Sequence, residues 1–177
     1  MTPFLQAAVT QMLPNAGDGE NCAECGFAWD TPGTAAMGLV RDGPQRLGEL
    51  LDRAEVSAPI TGGPWSSSAY VWHVGDVTRA WSERLHSLSV DPDAAWAGFD
   101  PDELAQARHY EALPRATAPW ALERAVEALD LSLGSLDTDT PFEHPEWGRG
   151  TVADALRWLA HEVVHHELDI RRAGSPA

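Results

Sequence analysis

Near its C-terminus the chain carries the stretch WLAHEVVHHELDI, residues 158–170, which holds three of its seven histidines. Its apolar residues recur at the spacing of an α-helix, so the stretch predicts a helix. Residues four apart on a helix lie on the same face, with Cβ atoms about 5–6 Å apart. The pairs His161/His165 and Glu162/His166 can therefore each offer two ligand atoms to one metal ion.

The apolar stripe of this helix favours one pair slightly. The stripe consists of Val152, Leu156, Leu159, Val163 and Ile170. His166 falls within the stripe and Glu162 beside it, whereas His161 and His165 lie toward the flank. Periodicity therefore favours Glu162 and His166 as ligands, and His161 and His165 remain alternates.

A third ligand has to come from another helix, because a catalytic zinc site needs three protein ligands and an open position. His73 is the best candidate, since it lies mid-helix among apolar residues, where an unpaired imidazole is costly. His73 and His166 are each followed three residues later by an aspartate, Asp76 and Asp169. Each aspartate could accept the other ring N–H of its histidine and fix the tautomer.

Other interpretations compete with this one. The sequence His161-Glu162-Val163-Val164-His165 matches the His-Glu-x-x-His motif of metalloproteases. We interpret the match as accidental, because nothing in the chain predicts the β-sheet that such enzymes carry. A histidine-rich helix face can also be merely solvated, and a lone mid-helix histidine is often a hydrogen-bonded core residue.

The two cysteines, Cys22 and Cys25, form a Cys-x2-Cys pair. Such a pair can be half of a zinc site that other residues complete. A redox pair would usually follow a strand–turn–helix pattern, which this region does not show. A second metal site, a redox pair and two spare thiols all stay open as interpretations.

The rest of the chain predicts an all-α protein. Apolar residues at helical spacing indicate long helices from about residue 34, from the serines at 66–68 to about 88, over 118–136, and from Thr151 to about 172. Residues 1–32 are predicted to be an irregular N-terminal extension with a short helix at 3–12. Four main helices suggest a four-helix bundle domain over residues 33–177, with metal ligands on facing helices.

Two local features refine these boundaries. Pro44 is most easily placed in the first turn of a helix or at a break before it, because proline lacks the N–H that a helix interior uses. Thr151 with Asp154 resembles a capping box, which would start the last helix. Residues 137–150 contain Pro141, Pro145 and Gly148 and are expected to form a loop without strands.

The charge excludes several classes of partner. The net charge of −15 argues against nucleic acid and against an anionic membrane surface. We find no signal-peptide pattern and no run of about 18 apolar residues, so a cytoplasmic location is expected. All twelve basic residues are arginine. Eight tryptophans are unusual, and several are expected to line a core or a pocket.

The residues around the candidate ligands resemble a known family. Trp72-His73-Val74-Gly75-Asp76 and His161-Glu162-x3-His166-x2-Asp169-Ile170 are similar to motifs of the DinB-like superfamily. It includes mycothiol-dependent maleylpyruvate isomerases and YfiT-type metal-dependent hydrolases. The resemblance implies a four-helix bundle with a divalent metal held by three residues. The ligands are commonly three histidines, but the maleylpyruvate isomerase branch uses His, Glu and His, which carries over to His73, Glu162 and His166.

The resemblance also implies a function. We expect a divalent metal, zinc first and nickel, iron or manganese as alternatives, with a low-molecular-weight thiol such as mycothiol as co-substrate. The enzyme would be an S-transferase or isomerase acting on a small molecule, and a homodimer is an accompanying expectation. The alternatives are a hydrolase that uses metal-bound water and a non-catalytic, stress-associated metal-binding bundle.

Overall fold

Four long helices form the fold. The structure is a computed structural model that describes residues 21–53 and 65–173. In order, the described chain forms α1 (Gly33–Arg53), α2 (Ser67–Val90), α3 (Pro101–Arg108), α4 (Ala118–Leu133), β1 (Pro141–His144), β2 (Gly148–Thr151) and α5 (Val152–Ala173). The predicted four-helix bundle is confirmed, whereas the short helix predicted at residues 3–12 lies outside the described residues.

The helices pack through the apolar faces that their sequences predicted. α2 packs along α4 and α1 along α5, while contacts of α1 with α4 and of α2 with α5 close the bundle. The fully buried core side chains include Leu47, Leu85, Leu122, Leu129 and Leu159. Burying a leucine contributes about 1.5–3 kcal/mol. Among the described residues no helix combines the length and the apolar character that crossing a bilayer requires.

Side-chain caps determine where α2 and α5 begin. These are the two helices that carry the candidate histidine ligands. The Ser66 hydroxyl accepts a hydrogen bond from the Ala69 N–H at 3.3 Å. The Thr151 N–H donates to Asp154 Oδ2 at 2.8 Å, and the Asp154 N–H donates back to Thr151 Oγ1 at 3.4 Å. The capping box predicted for the last helix is therefore present.

Pro44 lies in the interior of α1, so its predicted place in a first turn or at a helix break is wrong. An interior proline costs about 3 kcal/mol, because it removes a helical hydrogen bond and crowds the preceding turn. Tertiary packing outweighs that cost, since Val40 and Leu47 on either side are fully buried. A Cβ at the neighbouring Gly43 would lie only 3.2 Å from Val163 Cγ2, so α1 and α5 approach closely there.

Residues 141–151 form a β-hairpin, so the predicted loop without strands is wrong. β1 and β2 pair antiparallel, with Phe142 opposite Gly150 and His144 opposite Gly148. Phe142 and His144 are buried, while their neighbours in β1 are exposed. Gly148 has a φ of +73°, a conformation that glycine adopts readily. The hairpin leads directly into α5 and places its buried face beside the cavity described below.

Candidate metal centre and its cavity

His73 of α2 meets Glu162 and His166 of α5 inside the bundle. Glu162 Oε2 lies 3.1 Å from His73 Nε2 and 3.3 Å from His166 Nε2. One ligand-type atom from each of the three side chains lies within 4.8 Å of the others. The His73 side chain is 7 % exposed, and those of Glu162 and His166 are 13 % exposed. This cluster, the triad, combines the three residues that the sequence singled out.

The triad fits a divalent metal by spacing and by donor type. Ligand atoms at about 2.1 Å from one ion, with angles between 90° and 110°, lie about 3.0–3.4 Å apart. The contacts of Glu162 Oε2 with the two imidazoles fall within that range. Two imidazoles and a carboxylate suit zinc, iron and several other divalent ions. The three residues can therefore hold one metal and leave further coordination positions for a substrate.

Electrostatics keep Glu162 in the form that binds metals. Burial by itself raises the pKa of Glu162, but hydrogen bonds with His166 and His73 outweigh it and hold the pKa below its usual range. Burial lowers the pKa of His166, yet hydrogen bonds with Asp169 and Glu162 raise it above the ordinary value. Glu162 is thus an anion at neutral pH. Metal binding has to compete with protons for the imidazoles.

Asp169 forms a hydrogen bond with His166. Its Oδ2 lies 2.9 Å from His166 Nδ1, which leaves His166 Nε2 toward Glu162. A carboxylate at one ring nitrogen fixes the tautomer and orients the other nitrogen toward a metal. The ring of Tyr70 packs on His166 at a centroid distance of 4.9 Å and holds it from the other side.

Asp76 has other partners, so its predicted support of His73 is corrected. Asp76 Oδ1 accepts a hydrogen bond from Arg79 Nη1 at 2.6 Å and another from Arg108 Nη1. Its Oδ2 accepts the hydroxyl hydrogen of Tyr110 at 2.7 Å. The carboxylate therefore ties α2 to α3 and to the turn after it. Sequence spacing could not distinguish this structural role from contact with His73, because Asp76 lies one turn along the same helix.

His161 and His165 lie outside the triad and meet the two cysteines instead. Ligand-type atoms of Cys22, Cys25, His161 and His165 all lie within 4.8 Å of one another. Burial is the main cause that raises the pKa of the Cys25 thiol to about 11. A reactive redox cysteine normally has a lowered pKa, so this environment does not resemble a thiol-exchange site.

A cavity of about 690 Å³ opens onto the triad. One face of α2 forms its floor, because His73, Val77, Trp81 and Arg84 recur at helical spacing and all line it. The walls are mostly aromatic; they include Trp65, Tyr70, Phe99, Trp147 and Trp158. The prediction that tryptophans line a pocket is confirmed.

His144, which falls in the region predicted to be a loop, lines the same cavity. Its ring stacks on Trp147 at 4.1 Å and on Trp81 at 5.8 Å between centroids. Its Nε2 is buried without a hydrogen-bond partner among the described residues. Burial, together with Arg84, lowers its pKa to about 4, so the imidazole is neutral at pH 7. The sequence signal for this strand is the alternation of exposed and buried residues over Pro141–His144, which is only four residues long.

Arg84 provides a buried cation at the far end of the α2 floor. Its Nη2 donates to the Ala97 carbonyl oxygen at 2.7 Å. The guanidinium carbon lies 5.2 Å from the centroid of Trp81 and 5.5 Å from that of Phe99. Burial lowers the pKa of Arg84, and nearby Glu146 partly offsets this. Arginine remains charged in proteins, so this end of the cavity is polar.

Comparisons with known proteins agree with the fold and the sequence motifs. The sequence profile of the DinB superfamily matches residues 28–170. The chain therefore belongs to the DinB superfamily, and the resemblance seen in the motifs is confirmed. No protein of curated function matches the chain.

One solved structure is similar over most of both chains. It is YfiT from Bacillus subtilis, described as a probable metal-dependent hydrolase with an unusual four-helix bundle topology. The TM-score is 0.65 at 18 % sequence identity, and the match covers 79 % of this chain and 86 % of YfiT. At that identity the likeness establishes the shared bundle fold.

Proposed function

We propose that this member of the DinB superfamily is a metal-dependent enzyme that acts on a small molecule. The metal would be held by His73, Glu162 and His166. The observation that carries the proposal is the position of Glu162 Oε2, in contact with both imidazoles at one end of an aromatic cavity. A buried carboxylate that two imidazoles share is a donor set that suits a metal, and three protein ligands leave room for substrate.

The surrounding side chains orient the triad. Asp169 holds His166 Nδ1 and so directs its Nε2 toward Glu162. Trp65 packs on His73 at 4.9 Å between ring centroids, which limits rotation of the imidazole. When bound, a divalent metal supplies Lewis acidity that lowers the pKa of a thiol or water it coordinates. The aromatic walls exclude water and strengthen every electrostatic interaction inside.

The shape of the cavity indicates the class of substrate. Arg84 follows His73 by eleven residues, close to three helical turns, so both side chains share a face about 16 Å apart along α2. Between them lie the apolar groups of Val77 and Trp81. We therefore propose an elongated substrate with an apolar or aromatic body. Its reacting end would lie at the triad and a polar group near Arg84 and Glu146.

Thiol-dependent transfer or isomerisation is the first candidate reaction. Its support is the use of a glutamate between two histidines, the ligand pattern of the maleylpyruvate isomerase branch that the motif resembles. Glu162 contacts both histidines, which favours a ligand role over a role as a free general base. A thiol co-substrate held by the metal would release its proton to solvent and serve as a thiolate nucleophile, so this reaction does not call for Glu162 as a base.

Hydrolysis is the second candidate, favoured by the similarity to YfiT. Proton transfer by a positioned side chain speeds hydrolysis further, beyond what the lowered pKa of a metal-bound water supplies. His144, neutral and without a partner at its Nε2, is the candidate among the cavity residues described above. A wild-type protein that binds metal at the triad but turns over substrates of neither class would instead favour the non-catalytic metal-binding bundle.

Paired assays separate the two reactions. The purified protein would be tested with aryl halides and unsaturated acids plus mycothiol or glutathione, and with aryl esters and amides without thiol. Thiol-dependent turnover that His166→Ala abolishes and the exposed control His86→Ala retains would support the first candidate. Equal turnover without any thiol would overturn it in favour of hydrolysis.

A further inference from the structure

Cys22, Cys25, His161 and His165 form a second cluster of ligand-type side chains. Their ligand atoms all lie within 4.8 Å of one another, and Cys22 Sγ is 3.8 Å from His165 Nδ1. A tetrahedral zinc site with Zn–S near 2.3 Å and Zn–N near 2.1 Å separates its ligand atoms by about 3.3–3.8 Å. Two thiols and two imidazoles match a Cys2His2 zinc site in number and type, and the separation of Cys22 Sγ from His165 Nδ1 lies at the upper end of that spacing.

The backbone around the cysteines is folded into a tight turn. The Cys22 N–H donates to the Phe27 carbonyl, and the Gly26 N–H donates to the Cys22 carbonyl, both at 2.8 Å. Gly26 has a φ of +75°, a left-handed conformation that favours glycine. Asn21 and Ala28 pair across the base of the turn. These bonds hold Cys22 and Cys25 in one turn, and both cysteine side chains pack against the hydrophobic core of the bundle.

The buried ring nitrogens of His161 lack hydrogen-bond partners in the described part of the chain. Both of its ring nitrogens are buried, and neither has a partner among the described residues. The ring lies 4.6 Å from Trp29 and 5.8 Å from Phe27 between centroids, so aromatic groups shield it from water. An unpartnered buried imidazole is unfavourable. A metal bond to one nitrogen would supply the missing interaction.

His165 has the surroundings of a metal-binding histidine. Its Nδ1 faces Cys22, while its Nε2 lies 3.8 Å from Glu24 Oε2 and 3.9 Å from Asp169 Oδ2. Carboxylates commonly lie behind the second nitrogen of a ligating histidine. The same Asp169 oxygen is 2.9 Å from His166 Nδ1. Asp169 therefore touches a histidine of each cluster.

The two clusters use two helical pairs that are offset by one residue. His161 and His165 are four apart, and so are Glu162 and His166, so each pair shares a face. Successive residues on an α-helix are rotated by about 100°, which turns the two faces toward different parts of the molecule. One face meets His73 and the other meets the turn that carries the cysteines.

We propose that Cys22, Cys25, His161 and His165 bind a structural zinc ion that fastens residues 21–29 to α5. Four protein ligands fill a tetrahedral shell, so this ion has no open position for a substrate. The site holds Phe27 and Trp29 against α5 and fixes the helix face next to the triad. It stands independently of the proposed enzymatic function, because none of its four ligands belongs to the triad.

Zinc-edge X-ray absorption and metal analysis test this site on tag-free protein purified under reducing conditions without chelator. Wild-type protein is expected to show sulfur scattering at about 2.3 Å. Cys22→Ser/Cys25→Ser should lose that scattering and one equivalent of zinc. His73→Ala/His166→Ala should keep the sulfur signal and lose only the metal of the triad. The matched control is His86→Ala, an exposed histidine on α2, which should retain both.

Each result has one meaning. Wild-type zinc without any sulfur ligand would overturn the proposal even if the cysteine variant fails to fold. A Cys22–Cys25 disulfide, detected by mass spectrometry of unreduced wild-type protein that lacks the second zinc, would also overturn it. Loss of the sulfur signal in His161→Ala, with both thiols intact, would support it. Failure of the triad alone would leave the sulfur-bound zinc in place, so the two proposals fail separately.

Discussion

The two clusters on α5 share a helix and differ in nearly everything else. The triad joins α5 to another helix of the bundle, has three ligand-type groups and opens onto a cavity. The cysteine cluster joins α5 to a turn before the bundle and has four such groups, of which His161 packs against Phe27 and Trp29. The difference is that between a site that can admit a substrate and a site that is filled by protein.

Residues 161–166 contribute to both clusters. Residues 161–166 place two ligand pairs on adjacent faces, and the surrounding structure decides what each pair meets. The face with Glu162 lies toward the bundle, where His73 completes the triad that we propose holds a metal with an open position. The face with His161 looks toward the N-terminal segment, where two thiols complete a closed set.

The largest expected effect comes from removing a ligand of the triad. His166→Ala should weaken metal binding at the triad by more than about 100-fold, since even residues behind a ligand account for 10–100-fold. Activity should be lost with the metal. Isothermal titration calorimetry with the metal measures this affinity, and His86→Ala serves as the control. Unchanged metal affinity in His166→Ala would contradict the assignment of the triad as the metal site.

Removing the thiols should destabilise the protein and spare the triad. A ligand present at about 1,000 times its dissociation constant stabilises the folded state by about 4 kcal/mol. For a chain of this size that corresponds to a melting temperature about 8–16 °C lower in Cys22→Ser/Cys25→Ser. Differential scanning calorimetry measures the shift. A melting temperature equal to that of wild type would contradict a structural role for zinc at the cysteine cluster.

Asp169 and Asp76 form a matched pair, since each follows a histidine by three residues. Asp169→Ala should weaken metal binding at the triad by about 10–100-fold, because His166 loses its orienting carboxylate. Asp76→Ala should leave metal affinity unchanged but lower stability, because Tyr110 and Arg108 lose a buried partner. Calorimetric metal titrations of both variants distinguish them. A loss of affinity in Asp76→Ala as large as that in Asp169→Ala would contradict the corrected role of Asp76, and wild-type affinity in Asp169→Ala would contradict the role of Asp169.

The smallest effect concerns His144, a buried imidazole without the carboxylate partner that His166 has. Its folded pKa of about 4 lies below the ordinary histidine value, so between pH 6.5 and 4 the unfolded chain binds a proton that the folded chain does not. Stability therefore falls as pH falls through this window, by at most about 1.4 kcal/mol per pH unit from this residue. Urea unfolding at several pH values gives the free energy of unfolding of wild type and of His144→Phe. Between pH 6.5 and 4 this free energy should fall less steeply with pH in the variant. The same pH dependence in both proteins would contradict the lowered pKa of His144.

Much of the fold followed from the sequence, because apolar spacing reports the face that a helix buries. The stripe from Val152 to Ile170 is buried as predicted, and the Thr151 cap starts α5. The hairpin was missed since a four-residue strand is too short for its alternation to stand out. Pro44 was misplaced because local propensity cannot weigh the tertiary packing that keeps α1 intact through it.

The site followed from the sequence only in part. Helical spacing and a mid-helix histidine brought together His73, Glu162 and His166 as candidates, and the structure clusters these three. The spacing could not show that His161 and His165 belong with the cysteines, because Cys22 and His165 lie 143 positions apart in the chain. His144 was missed for the same reason, since its place at the cavity depends on how the hairpin packs.

We propose that α5 carries ligands for two metal ions, and an anomalous-difference map from a crystal of the zinc-loaded protein would show both ions. Two peaks are expected, one within bonding distance of His73, Glu162 and His166, and one among Cys22, Cys25, His161 and His165. A single peak that involves His161 or His165 together with His73 would contradict it.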